Sequence, residues 1–441
     1  MTTNRNAGGR PYLLWLWAIG LTLVSVGVGQ AQQGPPIPPP QIFYSKVEPL
    51  TDTIAREQRD PRPASAGDAL QVYDWLLWGT LSVGGAYDNN VNSTPSNPIT
   101  VYGARLQPAV VAERNTGIQR TLLYGVGDFR YYPAIGRTEI IDTTGGVVHV
   151  WEIQRDFIFR TQGQVTRGQD ALGVTNVGSG LILVDPVKSL RFYGSTSLEK
   201  GFGLFFTAIG ASVTREMFDD TRSLSGATIS EGFRDGTTLT VNGRLGYHVT
   251  PLVYSFVEPS ANVIRHTAAN LDSEGQRIIA GFGTARIGLM NGEVYGGYMD
   301  QHFADPMINP LRSGIFGGRV SWYPTRFLTF TTSFDQGLAT SDFTTRAFTP
   351  GSITKTNTAR FQATWDMTTF FTWGGTVEYR QYAYLASFRI DHLWVGSANL
   401  TYWVRPRFGI TLDYSHFLLE TNLVGGNYSR DFVSLGAKTR F

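Results

Sequence analysis

Five of the 37 basic residues are lysine (Lys46, Lys188, Lys200, Lys355 and Lys438); the rest are arginine. Guanidinium forks hold carboxylates bidentately and stack on aromatic rings. A two-residue parity places one set of charged residues on a common face: Arg160, Arg244, Glu258, Arg319, Arg360, Asp366, Glu378, Arg380, Asp391, Asp413, Lys438 and Arg440. Lining a wet wall, they would favour anionic solutes, acidic sugars included. They would equally brace that wall by pairing across strands. With 37 basic and 35 acidic residues, pairing is the simpler account of any single arginine. Tyr254, Phe256 and Phe432 share this face and would serve as stacking steps for sugars or as packing.

Other reactive types are sparse. The run Tyr87-Asp88-Asn89-Asn90-Val91-Asn92 offers oxygens to a hard cation such as Ca²⁺. It lacks the Gly and distal Glu of an EF-hand loop, and a turn rich in Asn and Asp needs no metal. Neither a metal nor a cofactor is expected. The six histidines are His149, His248, His266, His302, His392 and His416, and none forms HExxH. There is no GxSxG elbow. Asp391 and His392 are neighbours, so on a strand they face opposite sides. No enzyme is expected, although a Ser/His pair from distant strands would be a route to hydrolysis. Cysteine is absent, which excludes disulfides and thiolate metal sites. A net charge of +2 gives no electrostatic case for nucleic acid.

What positions these residues is a period of two that runs from Trp75 to the end. In the last segment Val433, Leu435, Ala437, Thr439 and Phe441 fall on one face. Arg430, Ser434, Gly436, Lys438 and Arg440 fall on the other, with Phe432 an exception. Leu239, Val241, Leu245 and Tyr247 oppose Thr240, Asn242 and Arg244 in the same way. Elsewhere Ile158 and Val395 break the alternation. Segments of ~10 residues alternating between turn signals are the pattern of a membrane β-barrel. Aromatics at segment ends (Tyr247, Trp322, Tyr323, Trp365, Tyr402 and Trp403) suit interfacial girdles.

Tight turns are expected near Asn115–Gly117, Gln154–Asp156, Lys200–Gly203, Thr250–Pro251, Asn291–Gly292, Pro324–Thr325, Asp366–Thr369 and Arg405–Arg407. Nine longer loops alternate with them. The count is an all-β, antiparallel, up-and-down transmembrane barrel of about 18 strands, with 16 as the alternative where four strands (the third, fourth, tenth and eleventh) are weakly marked. Strands of ~9–11 residues are expected.

Composition fits two opposed faces. Charged residues make up 16% and aromatics 13%, and 50 glycines are present. Mean hydropathy is −0.12, which argues against a helical membrane bundle. Residues 1–31 read as a signal peptide: Arg5 and Arg10, an apolar run from Tyr12 to Val28, then small residues up to Ala31, with a retained membrane anchor as the alternative. Residues 32–75 form a Pro-rich segment that includes Gly34–Pro40: a periplasmic linker, or else an arm for a partner or a segment that enters a pore. Residues 76–441 are the barrel.

The Tyr87–Asn92 segment, the strand Leu77–Ala86 before it, the aromatic–Pro hairpins and the terminal Phe441 resemble the putative beta-barrel porins of Gram-negative bacteria, more narrowly the second putative beta-barrel porin family. The resemblance implies an outer-membrane location among lipid, and a terminal Phe441 that resembles the signal read by the barrel assembly machinery. The reading taken is a passive channel for small or anionic solutes. Some family members accompany exopolysaccharide synthesis and export, which implies the alternative of an export component whose periplasmic partner docks on residues 32–75. A barrel-embedded lipid hydrolase and a plugged structural barrel are the remaining readings.

Overall fold

The computed structural model describes residues 69–169, 186–222, 226, 228–287, 289–325, 327–341, 352–385, 387–422 and 426–440. Residues 1–31, which the sequence reads as a signal peptide, most of the 32–75 segment and Phe441 lie outside the described residues. Eighteen long strands form the wall. The first six are β1 (Trp75–Asp88), β2 (Val101–Asn115), β3 (Gln119–Tyr132), β4 (Arg137–Gln154), β5 (Phe157–Gln169) and β6 (Lys188–Phe202). Then come β7 (Phe205–Phe218), β8 (Gly236–His248), β9 (Val253–His266), β10 (Ser273–Ile287), β11 (Met290–Phe303) and β12 (Leu311–Thr325). The last six are β13 (Leu328–Ser341), β14 (Ser352–Asp366), β15 (Phe371–Tyr384), β16 (Ile390–Arg405), β17 (Phe408–Thr421) and β18 (Tyr428–Arg440).

Each strand pairs antiparallel with its neighbours in sequence, and β18 pairs with β1 from Thr80–Arg440 to Asp88–Phe432. The sheet is therefore a closed up-and-down barrel of 18 strands, not 16. Followed once around all the ladders, the register returns to β1 about 22 residues further along, which sets a tilt of roughly 40° and a backbone diameter of about 35 Å.

Strands run 13 to 18 residues, longer than a bilayer requires. The ladder continues past the hydrocarbon because each added residue keeps its backbone groups paired. Short turns occupy one rim and longer loops the other. Two turns sit two or three residues from their expected places. The turn expected at Asn291–Gly292 falls between Ile287 and Met290, and Gly292 lies inside β11. A Cβ there would collide with the Arg319 carbonyl, so this glycine permits close approach of two strands. The turn expected at Pro324 falls between Thr325 and Leu328, and the register shifts between Trp322 and Thr325. Proline is tolerated at such an irregularity.

The alternation sorts the two faces. On β8, Leu239, Val241, Leu245 and Tyr247 are exposed on the outer face, while Arg244 between them is buried inside. Tyr247, Trp322, Trp365 and Tyr402 lie on the outer surface at strand ends. Trp403 does not: it turns inward and is 4% exposed. Consecutive strand residues cannot share a face, so Tyr402 and Trp403 cannot both join a girdle. Inside the wall, aromatic rings lie over glycines of the next strand. Phe206 covers Gly246, Phe256 covers Gly281 and Tyr254 covers Gly283.

One short hairpin precedes the barrel. Leu70–Val72 pairs with Trp75–Leu77, and its turn places Tyr73 at φ 55°. It fills the edge of β1 left uncovered where β18 stops at Arg440.

Candidate functional site

The charged face resolves into three groups on the inner wall. The first lies across the closing seam. Asp88 is fully buried at the end of β1, and the Arg430 guanidinium on β18 donates to both of its oxygens. Arg105 on β2 grips Asp128 on β3 through Nε at 2.9 Å and Nη2 at 2.6 Å, and its Nη1 lies 3.1 Å from Asp413 on β17. Arg130 also reaches Asp128 and stacks over Phe432, 3.6 Å from the ring centroid. Asp413 accepts a further hydrogen bond from Asn399 at 2.7 Å. Lys438 on the next strand, four residues from the position opposite Asp413, is within electrostatic reach of this carboxylate.

The second group covers β5 to β13. Arg244 is clamped between Glu258 and Glu293, with Nε to Glu258 at 2.7 Å and Nη1 to Glu293 at 2.8 Å. Its guanidinium lies 4.0 Å from the Phe256 centroid. Tyr254 donates its hydroxyl to Glu293. Arg319 stands directly across from Glu293 in register. Arg160 on β5 and Glu199 on β6 are diagonal neighbours within electrostatic reach of each other, as Arg277 is of Glu258 and Asp335. The third group is on β14 to β16. Arg360 and Arg380 both pair with Glu378, and Arg389 pairs with Asp391 at 2.6 Å. Tyr384 donates to the same Asp391.

The sequence-predicted set is thus split among three walls. Asp366 lies apart from the three groups: it sits half-buried at the short-turn rim, its N–H donating to the Phe327 carbonyl. Lys438 and Arg440 lie at the same rim on β18. The pairing partners that the sequence does not single out are Arg105, Asp128, Arg130, Glu199, Arg277, Glu293 and Arg389, while Asp88 stands there only as a candidate cation ligand and Arg430 only as one of the polar face of the last strand. Glu293 follows the Asn-Gly pair read as a turn, and moving that turn three residues earlier puts Glu293 inside β11 on the inner face.

Tyr254, Phe256 and Phe432 are 5%, 3% and 1% exposed. Phe256 and Phe432 pack beneath guanidinium groups and Tyr254 against Phe206 and Phe256, so they offer no open stacking step. The Asp88-Asn89-Asn90 oxygens are also occupied by protein. Asn89 bonds Asp431 through both side-chain atoms, and Asn90 binds the Thr94 N–H and two carbonyls. Among the described residues no group of three or more His, Asp or Glu could hold a metal ion. The described hydrogen bonds of the histidines join His149 to Thr121, His392 to Tyr379 and His416 to Asp431, with no serine hydroxyl on any of them.

A closed barrel with an apolar exterior and a charged interior defines a porin-like outer-membrane β-barrel. The chain belongs to the Putative beta-barrel porin 2 family, whose model matches residues 66–441. No curated protein is similar in sequence. Solved structures with some likeness include an anion-selective porin from Comamonas acidovorans, at 11% identity and TM-score 0.32 over 83% of this chain and 99% of that one. OpdO from Pseudomonas aeruginosa is 11% identical, with TM-score 0.39 over 85% and 98% of the two chains. The siderophore receptor PiuA from Acinetobacter baumannii is 10% identical, with TM-score 0.42 over 85% and 82%. These likenesses say nothing about this chain's solute.

Proposed function

We propose that the chain is a passive outer-membrane channel for small solutes, with a preference for anions. The observation that carries this reading is the opposition of the two faces. Rows of exposed Leu, Val, Ile and aromatic side chains suit lipid, and the rows between them place guanidinium and carboxylate groups inside a barrel of 18 strands. A purely structural barrel has no need of a charged interior, because apolar packing would fill it at lower desolvation cost. The preference for anions rests on the cations gathered on the inner wall: Arg360 and Arg380 converge on Glu378, and Lys438 stands within electrostatic reach of Arg440 and Arg105 on the seam side.

Reconstitution of the folded chain in planar bilayers tests this directly. Stable conductance steps are expected, with a reversal potential under a KCl gradient displaced toward that of chloride. A well-folded barrel silent at every voltage overturns the reading.

A further inference from the structure

The short-turn rim between β16 and β18 holds donors that the ion-pair groups do not use. Trp403 is 96% buried on the inner wall, and its indole N–H has no hydrogen-bond acceptor. In register, Trp403 stands beside Gly409, and Gly409 stands beside Lys438. The row across three strands is therefore indole, bare backbone, ammonium. A Cβ on Gly409 would lie 3.1 Å from the indole, so the glycine lets the ring approach the β17 backbone closely. Among the described residues Lys438 makes no hydrogen bond or ion pair; the charges it feels are Asp413, Arg440 and Arg105.

Arg440, two residues beyond Lys438 on the same face, closes the other side. Its guanidinium carbon lies 3.8 Å from the Trp403 ring centroid, and its Nε donates to the Pro406 carbonyl at 2.6 Å. The β16–β17 turn adds Arg405 and Arg407, both exposed. Against these four cations the adjoining stretches of β16, β17, β18 and β1 hold one acid, Asp413, which is already engaged by Asn399 and Arg105, and Asp366 stands on the far side, two strands from Trp403 across β15. A neutral donor without an acceptor, beside cations in excess of acids, is the chemistry that recognises an oxyanion.

We infer that Trp403, Lys438 and Arg440 form a binding step for small oxyanions, carboxylate or phosphate, at the short-turn mouth of the barrel. The indole N–H and the Lys438 ammonium donate to the anion, and Arg440 supplies charge while holding the indole in place. The step deepens the channel reading and rests on it for its role in transport. Binding itself is measurable without transport.

The test uses the full chain folded in detergent, titrated separately with inorganic phosphate and with succinate by calorimetry. Saturable binding of either oxyanion by the parent is expected. Lys438→Gln should weaken it about tenfold, the value of a charged hydrogen bond, and Lys438→Arg should largely retain it. Trp403→Phe keeps the ring and removes the donor, and it carries the test if the lysine variant fails to fold. Phosphate binding without succinate binding, or the reverse, decides between the two sources of the anion. Absence of binding to folded parent, or equal binding by parent, Lys438→Gln and Trp403→Phe, overturns the inference. Binding by a barrel that never conducts would overturn the channel reading and leave the site standing.

Discussion

The Arg430 guanidinium lies 2.6 Å from the carboxylate of Asp88, a residue 342 positions away and fully buried. The pair joins the last strand to the first, at the loop end of the seam. Both partners are inward, and Asp88 also takes the Asn90 N–H. Closure of a barrel needs no such pair, since the backbone ladder alone removes the edge. What the pair adds is a penalty for any other alignment, because a shifted β18 would leave a buried charge unmatched.

Removing one partner should therefore cost far more than removing both. Asp88→Ala is expected to destabilise the folded barrel by about 3–5 kcal/mol. The Asp88→Ala/Arg430→Ala double variant should lose clearly less than the sum of the two single losses. Equilibrium unfolding in urea from detergent micelles, followed by tryptophan emission, reads both. Strict additivity would show that the pair is not coupled.

The same reasoning separates two arginines by exposure. Arg244 is buried between two carboxylates, so Arg244→Met should cost about 3–5 kcal/mol. Arg265 pairs with Glu274 at the surface with its side chain 53% exposed, and Arg265→Ala should change stability by less than about 1 kcal/mol. Comparable losses at the two sites would contradict this placement of the charges.

Neighbouring positions on β7 should respond in opposite ways to the same substitution. Val213 is exposed on the outer face, and Val213→Arg should cost about 2–4 kcal/mol if it lies near the bilayer midplane. Ser212 faces inward, and Ser212→Arg should fold and move the reversal potential further toward chloride. A destabilised Ser212→Arg beside a tolerated Val213→Arg would mean that the two faces have been assigned the wrong way round.

The ring-over-glycine packing gives a further check. Gly246→Val would drive a side chain into the Phe206 ring, at a cost of about 1–3 kcal/mol. Adding Phe206→Ala should recover part of that loss, since it vacates the space. Folded yield, read by the mobility shift between unheated and boiled samples, shows whether the rescue occurs.

The strand count and the two-faced wall were legible because most strands alternate cleanly, as Leu239 to Tyr247 does. The strands that read weakly have a physical reason for doing so. On β3 and β4 the inner face holds Leu122, Tyr124, Val148 and Val150 in an apolar cluster, so both faces are apolar and the contrast vanishes. On β10 and β11, Ile279 and Met299 do the same. The residues that broke parity are explained alike: Ile158 packs against the first cluster, and Val395 against Tyr382, Leu393 and Leu419. Parity placed Arg244 and Glu378 correctly on one face. It could not say that Glu293 would meet Arg244, because partners on neighbouring strands depend on register, and register is fixed by turns that the sequence locates to within two or three residues. The seam partners were least legible, since nothing local links Asp88 to Arg430.

The small hairpin at Leu70–Val72 bears on how that register arises. It lies on the same edge of β1 that β18 must occupy, with Leu70 opposite Leu77 and Arg440 opposite Thr80. The two segments abut almost end to end. Once the hairpin has folded, β18 cannot slide toward the short-turn rim without meeting it. The residues just before the barrel thus act as an end stop, and the last strand docks against a template that already carries its own limit.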